Sequence, residues 1–439
     1  MNQGRRSMLG MVVLGAMEPL FAAPQASGTS LRALDAELAA IAEDPAMQLA
    51  SLSVLAIRAG RPVYEAAFGR RTIGPDRPAV PSTLYRIASV SKLHTTLGLM
   101  RLVEDGKLDL DADVSGYLGF PLRNPHFPKQ PISLRSLLSH TSSLRDDGGY
   151  SWPNTTALKD VLAPGATAMW SAKAAPGEYF TYCNLGWGLI GTVMERVSGE
   201  RFNALMQRLL FQPLGIETAY HPSELPAAAL ANLATLYRKR TTDTEIWNAA
   251  GPWIAQVDDY HAKPPARLDG YVPGVNATPY SPTGGLRISA RGLGVVMRML
   301  MQDGMHGGTR ILKRETLERM FARQWTYDPA HRSGDGNGAT LDGFYQAWGL
   351  GNQHFPDKPG MRLAEGFDAV GHLGDAYGLR SVFAFDRASG NGMVVLVGGS
   401  SAAPEAQQGS YSALARFEER ILTALYRHAI LGANVGQQN

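Results

Sequence analysis

Apolar residues first recur at helical spacing in Leu31, Leu34, Leu38 and Ile41, which predicts an amphipathic helix capped by Ser30. The period changes over residues 52–69, where two β-prone runs flank the turn Ala59-Gly60-Arg61-Pro62 and predict a hairpin. A second hairpin is expected from the runs 380–385 and 393–397 around the turn-rich segment 386–392. A closing helix over 412–428 carries the stripe Leu414, Phe417, Ile421 and Leu425. Between these ends the helical period dominates, at 90–103, 134–139, 185–197 and 293–301. Strand-forming segments at both ends with helices between them predict an α/β (α+β) chain: one antiparallel sheet flanked by helices, with an all-helical lobe inserted. The sheet lobe falls at about 30–88 and 285–430, the helical lobe at about 89–284, and a tail at 431–439. Residues 222–282, rich in Pro, Gly, Ala and Asn and weakly periodic, are expected to be loop over the helical lobe, bordering the substrate cleft.

Composition narrows the class. The 439 residues are 44% hydrophobic and 18% charged, the balance of a globular chain with enough apolar residues for a large core. Net charge is +3 with no run of Lys or Arg, so no nucleic-acid partner is expected. Residues 1–29 join Arg5 and Arg6 to an apolar stretch at 8–17 and small residues at 22–27, the outline of an export signal of twin-arginine type. This predicts a periplasmic or secreted protein. Beyond residue 30 no apolar run approaches the roughly 20 residues that span a bilayer, so no transmembrane segment is expected in the mature chain. Cys183 is the only cysteine, which forbids an intramolecular disulfide and reads as a small buried hydrophobe.

Chemistry concentrates in three places. Ser89 stands at the start of the helical pattern Val90, Leu93, Leu97 and Met100, and Lys92 lies on the same face one turn on. A helix start offers free N–H groups and a positive dipole end, and a lysine with a lowered pKa is able to activate a serine hydroxyl. Ser91 is the local rival, but its side chain points about 100° away from that of Lys92. The second place is Tyr182-Cys183-Asn184, ahead of a helix: Tyr182 is suited to shuttle a proton, and Asn184 to bond a substrate amide or steady the lysine. The third is His372-Leu373-Gly374-Asp375, directly before the second hairpin, where an edge strand would bind substrate and the Asp375 and Ser89 N–H groups would face a developing oxyanion. Asp375 is also placed to attract a cationic group. Trp348 and Tyr377 are pocket candidates, although aromatics near strands usually belong to the core, and His140 reads as structural. There is no His-Glu-x-x-His cluster, and Asp335-Gly336-Asn337-Gly338 lacks the other ligands of a calcium loop, so neither metal nor cofactor is expected. No Gly-x-Ser-x-Gly elbow is present.

Taken in order, Ser89-x-x-Lys92, Tyr182-x-Asn184 and His372-x-Gly374 resemble the three motifs of the serine β-lactamase and penicillin-binding-protein superfamily, in its class C and D-alanyl-D-alanine carboxypeptidase branch. Supporting segments at 106–111, 137–142 and 282–287 also look similar, and the resemblance spans roughly residues 35–425. It implies a sheet lobe and a helical lobe with the active site between them, and an acyl-serine intermediate on Ser89. It implies further that Lys92 and Tyr182 share the acid/base work, that the oxyanion hole comes from the backbone of Ser89 and Asp375, and that Asn184, His372, Gly374 and Asp375 bind substrate. The third motif departs from the usual Lys-Thr-Gly, so the customary carboxylate clamp is incomplete and efficient β-lactamase activity is not expected. The chain is therefore read as a serine hydrolase of peptide, amide or ester bonds in a small-molecule or peptide substrate. Two alternatives stay open: a D-alanyl-D-alanine carboxypeptidase or weak β-lactamase proper, and a non-catalytic protein that binds cell-wall peptides.

Overall fold

The computed structural model describes residues 28–432 apart from 164, 243, 245, 332–335 and 342. Residues 1–27 of the proposed signal, residues 433–439 of the tail and Asp335 lie outside the described residues, and the last two residues assigned to the signal begin the first helix. The strands are β1 (Ser51–Arg58), β2 (Arg61–Thr72), β3 (Arg77–Pro78), β4 (Tyr85–Arg86), β5 (Leu236–Lys239), β6 (Trp253–Val257), β7 (Arg287–Ile288), β8 (Met305–His306), β9 (Thr309–Arg310), β10 (Trp325–Thr326), β11 (Ala347–Trp348), β12 (Gln353–Phe355), β13 (Ala369–Ala376), β14 (Leu379–Asp386), β15 (Asn391–Val397) and β16 (Gly399–Ser400). The helices are α1 (Gly28–Ala42), α2 (Val90–Glu104), α3 (Val114–Leu118), α4 (Leu134–Leu138), α5 (Leu158–Val161), α6 (Leu185–Ser198), α7 (Phe202–Met206), α8 (Ala227–Ala231), α9 (Ala290–Met301), α10 (Arg314–Phe321) and α11 (Arg416–Ala424).

One antiparallel sheet of nine strands runs in the order β10-β11-β12-β13-β14-β15-β1-β2-β3. Strand β1 pairs with β15, Val54 opposite Val395, so the two ends of the chain meet at its centre. Alternation along these strands feeds two cores. Leu52, Val54, Val382 and Val395 face α1 and α11, whereas Leu55, Ile57, Phe383 and Leu396 face the core that contains α2, α6 and α9. A fully buried aliphatic side chain contributes about 1.5–3 kcal/mol relative to exposure, and both faces of the central strands are covered this way.

Three expectations need correction. Ser30 lies inside α1, not at its cap, and its hydroxyl donates to the carbonyl of His428 at 3.0 Å, tying the first helix to the last. The closing helix begins at Arg416 rather than 412, because Ser410, Tyr411 and Ser412 turn their N–H groups onto Glu419. The segment 222–282 is not simply loop: β5 and β6 form a hairpin within it, and β5 joins β16 in a parallel pair. Its end does border the cleft, through Thr278 and Ser281.

Leu396→Ala is expected to lower unfolding stability by about 2–5 kcal/mol because Leu396 is wholly buried between β1 and β14. Leu341→Ala, at a largely exposed side chain, should change it by less than about 0.5 kcal/mol. Urea unfolding followed by circular dichroism measures both.

Candidate active site

Ser89 is the N-cap of α2, but it does not behave as an ordinary capping serine: its hydroxyl makes no bond to the helix N–H groups. The preceding Ala88 is held at φ 47, a left-handed conformation unfavourable for a residue with a Cβ. The surroundings fix that turn. Ile87 donates its N–H to Leu286 O at 2.9 Å, and Ser381 Oγ on β14 donates to Ile87 O at 2.9 Å. Ser91, the sequence rival, is fully buried and accepts the Leu286 N–H at 3.1 Å, so its hydroxyl serves the scaffold and faces away from the cleft.

With its capping role released, the Ser89 hydroxyl meets Lys92. Lys92 Nζ lies 2.9 Å from Ser89 Oγ, 2.7 Å from Asn184 Oδ1 and 3.1 Å from the carbonyl of Thr283. The lysine is completely buried, and burial lowers its pKa from 10.5 to about 7, against the partial opposition of the Asp146 carboxylate. An ammonium would donate to all three oxygens. A neutral amine keeps two hydrogens, and the amide and backbone oxygens are acceptors only. Its lone pair therefore has one donor to meet, the Ser89 hydroxyl.

That argument depends on which way the Asn184 amide points, and Asp146 fixes it. Asn184 Nδ2 donates to Asp146 Oδ2 at 2.9 Å, which leaves Oδ1 for Lys92 and for the Thr283 hydroxyl at 2.8 Å. Asp146 also accepts the backbone N–H groups of Asn184 and Leu185, capping α6 from a separate loop, where its charge suits the helix dipole. The Cys183 thiol donates to the same carboxylate at 3.3 Å and is pushed well above its ordinary pKa by burial, with the Asp146 charge adding to this. The lone cysteine is thus a buried donor. His140 completes the support: its Nδ1 accepts the Cys183 N–H at 3.0 Å, its ring stacks on Tyr182 at 4.4 Å, and burial keeps it neutral.

Tyr182 stands over the same amine, with Nζ 4.9 Å from its ring centroid. Burial holds the phenol well above pKa 10, the neighbouring Tyr345 adds to the shift, and the nearby Ser89 hydroxyl offsets part of it. Tyr345 stacks parallel to Tyr182 at 5.4 Å. Trp348 belongs to the core beside these rings, whereas Tyr377 is 41% exposed and lines the cleft.

The third motif forms the opposite wall. Strand β12 pairs with β13 only through residue 371, so from His372 onward that edge has no partner strand among the described residues. Gly374 crosses the turn before Ser89 so closely that a Cβ would come within 2.6 Å of Ile87 O and 3.1 Å of Ser89 N. This explains the glycine of the motif by space alone. His372 is buried, and its Nδ1–H donates to Leu373 O at 2.6 Å. Burial lowers its pKa to about 3, with Lys92 contributing, so the ring is neutral and Nε2 carries a bare lone pair with no partner among the described residues. Asp375 is paired with Arg380 at 3.3 Å. The three sequence motifs thus converge on one cleft of about 1150 Å³. Asp146, Thr283 and Tyr345 were not singled out from sequence. Thr283 lay within a supporting segment, Asp146 followed one by four residues, and Tyr345 carried no signal.

Residues 39–416 match the family model described as Beta-lactamase. The chain belongs to that family. Penicillin-binding protein 4* of Bacillus subtilis (strain 168) is 31% identical over 169 residues, 37% of this chain and 36% of that protein. The D-alanyl-D-alanine-carboxypeptidase/endopeptidase AmpH of Escherichia coli (strain K12) is 32% identical over 156 residues, 34% of this chain and 39% of its own length. The chain thus spans less than half the length of these curated relatives. Among solved structures, EstCE1, a hydrolase with promiscuous acyltransferase activity, superposes with a TM-score of 0.63 at 23% identity, covering 90% of this chain and 98% of that one. The β-lactamase/transpeptidase-like fold follows from these matches.

Asp146→Asn removes the charge that holds the Lys92 pKa up and frees Asn184 to rotate. The Lys92 pKa is expected to fall further below about 7, read by NMR titration of the lysine ε-carbon. An unchanged midpoint would mean that Asp146 does not act on Lys92.

Proposed function

We propose that this protein is a serine hydrolase that cleaves an ester or amide bond through an acyl intermediate on Ser89. The observation that carries the proposal is the buried Lys92 amine, whose lone pair has only the Ser89 hydroxyl to accept from. Lys92 takes the hydroxyl proton as Oγ bonds to the substrate carbonyl carbon. The oxyanion is received by the backbone N–H groups of Ser89 and Asp375, and the Ser89 N–H donates to no backbone acceptor among the described residues. Tyr182, kept protonated by burial, gives its proton to the leaving group as the C–O or C–N bond breaks, and recovers one from Lys92. Water then attacks the acyl carbonyl, giving up a proton to the regenerated base, and Ser89 leaves with its hydroxyl restored. Asn184 and the His372–Asp375 edge bind the substrate.

A neutral His372 followed by Leu373 offers neither cation nor hydroxyl, which favours esters and amides over β-lactams. The names of the relatives, a penicillin-binding protein and a D-alanyl-D-alanine carboxypeptidase, keep D-amino-acid peptides among the candidate substrates. The catalytic unit is placed at 30–430, with 1–29 as an export signal and a periplasmic or secreted destination. No helix among the described residues is long and apolar enough to cross a membrane.

A fluorophosphonate probe should label the wild-type protein on Ser89 and leave Ser89→Ala unlabelled, and the substitution should cut turnover of p-nitrophenyl esters on the order of 10³-fold or more. Labelling that persists in Ser89→Ala, or unchanged turnover, refutes the assignment. Because unprotonated Lys92 is the active form, kcat/KM should rise with pH up to about 7 and level off above it. A flat profile between pH 5 and 8 would exclude Lys92 as the base.

A further inference from the structure

The third motif supplies no cation, yet other cations line the cleft. Arg86 on β4 lies three residues before Ser89, opposite Arg287 of β7 in the two-strand ladder. Two guanidinium groups are therefore brought together beside a single buried carboxylate, Asp258. Arg287 holds that carboxylate bidentately, with Nε and Nη2 at 3.1 and 2.8 Å from its two oxygens, the Tyr260 hydroxyl donates to it at 3.1 Å, and Arg287 Nη1 donates to the carbonyls of Tyr220 and Gly285. Arg86 is left with one hydrogen bond, from Nε to Gly284 O at 3.0 Å, and with the face of Tyr377, 4.8 Å from its guanidinium carbon. Its Nη1 and Nη2 have no acceptor, and no carboxylate pairs with it, among the described residues.

The other cations of the cleft are differently placed. Arg380 is bonded to Asp375 and Glu405, and Lys358 is solvent-exposed at the rim. Arg86 lines the same cleft as Ser89, partly buried, with Tyr377 as its cover. Tyr377 occupies a left-handed position, φ 58, in the β13–β14 turn beside Gly378. That turn brings the ring to the guanidinium. A partly buried guanidinium beside another arginine and with no carboxylate of its own favours an anion, and its free fork matches the two oxygens of a carboxylate.

We infer that Arg86 is a specificity-determining residue that binds a carboxylate carried by the substrate away from the bond being cleaved. The substrate class is then acyl compounds with a second, anionic group, and the cation comes from the strand entering the nucleophile turn instead of from the third motif. This rests on the proposed acylation of Ser89.

The test compares mono-p-nitrophenyl adipate with p-nitrophenyl hexanoate, which share a leaving group and acyl length and differ in the terminal carboxylate. The readout is the ratio of their kcat/KM values, so a general loss of activity cancels. Wild-type protein should favour the adipate by about tenfold or more, mainly through KM, and the preference should shrink with added salt. Arg86→Gln should abolish the preference and Arg86→Lys should keep part of it. Equal turnover of the two esters by the wild type, or a ratio unchanged in Arg86→Gln, overturns the inference while leaving Ser89 acylation intact. Calorimetric binding of adipate dianion to Ser89→Ala reads the same contact without turnover. Binding lost on adding Arg86→Gln supports the site, and no binding to Ser89→Ala overturns it even if neither ester is cleaved.

Discussion

A lysine amine removed from water beside a serine hydroxyl is the constraint around which this molecule is arranged. Burial is what brings the Lys92 pKa near neutrality, and burial demands that the amine's hydrogens find acceptors. Asn184 Oδ1 and the Thr283 carbonyl meet that demand. They come from different parts of the chain, the α6 cap and the segment before β7, so the helical elements must close over α2 before the lysine is held. Once they do, the remaining geometry leaves the lone pair to Ser89.

The neighbouring features follow from keeping that pair rigid. Ala88 is held in a left-handed conformation by bonds from Ile87 and Ser381 that reach β7 and the central sheet. Gly374 lets the β13 edge approach the Ser89 N–H without a Cβ between them. Asp146 holds the Asn184 amide, the α6 start and the Cys183 thiol with one carboxylate. Without it the amide could present Nδ2 to the lysine and compete with serine for the lone pair. His140 and Tyr345 brace Tyr182 between two rings.

Charge is distributed with the same economy. Two imidazoles near the lysine, those of His140 and His372, are held below their ordinary pKa, chiefly by burial. They add apolar bulk without adding positive charge beside an amine whose own charge burial already disfavours. A positive charge of the cleft wall sits on Arg86, beside an Asp258 carboxylate that Arg287 already holds.

Much of this was legible in the chain. The two hairpins followed from β-prone runs on either side of turn residues, and the helical middle from a period of 3.6 residues, because an amphipathic helix imposes that spacing on its apolar side chains. The ordered motifs at Ser89, Tyr182 and His372 named the residues that now line one cleft. The cap at Ser30 and the helix start at 412 were misassigned because tertiary and loop contacts, the distant His428 carbonyl and the nearby Glu419 carboxylate, decided their surroundings. The β5–β6 hairpin was hidden for a related reason: it is stabilised by pairing with β16, more than 140 residues away, and not by its own period. Sequence by itself determined which chemical groups were available and in what order. Only the tertiary structure decided their states, because the pKa of Lys92, the direction of the Asn184 amide and the missing partner of Arg86 are properties of contacts between distant segments and of the water those contacts exclude.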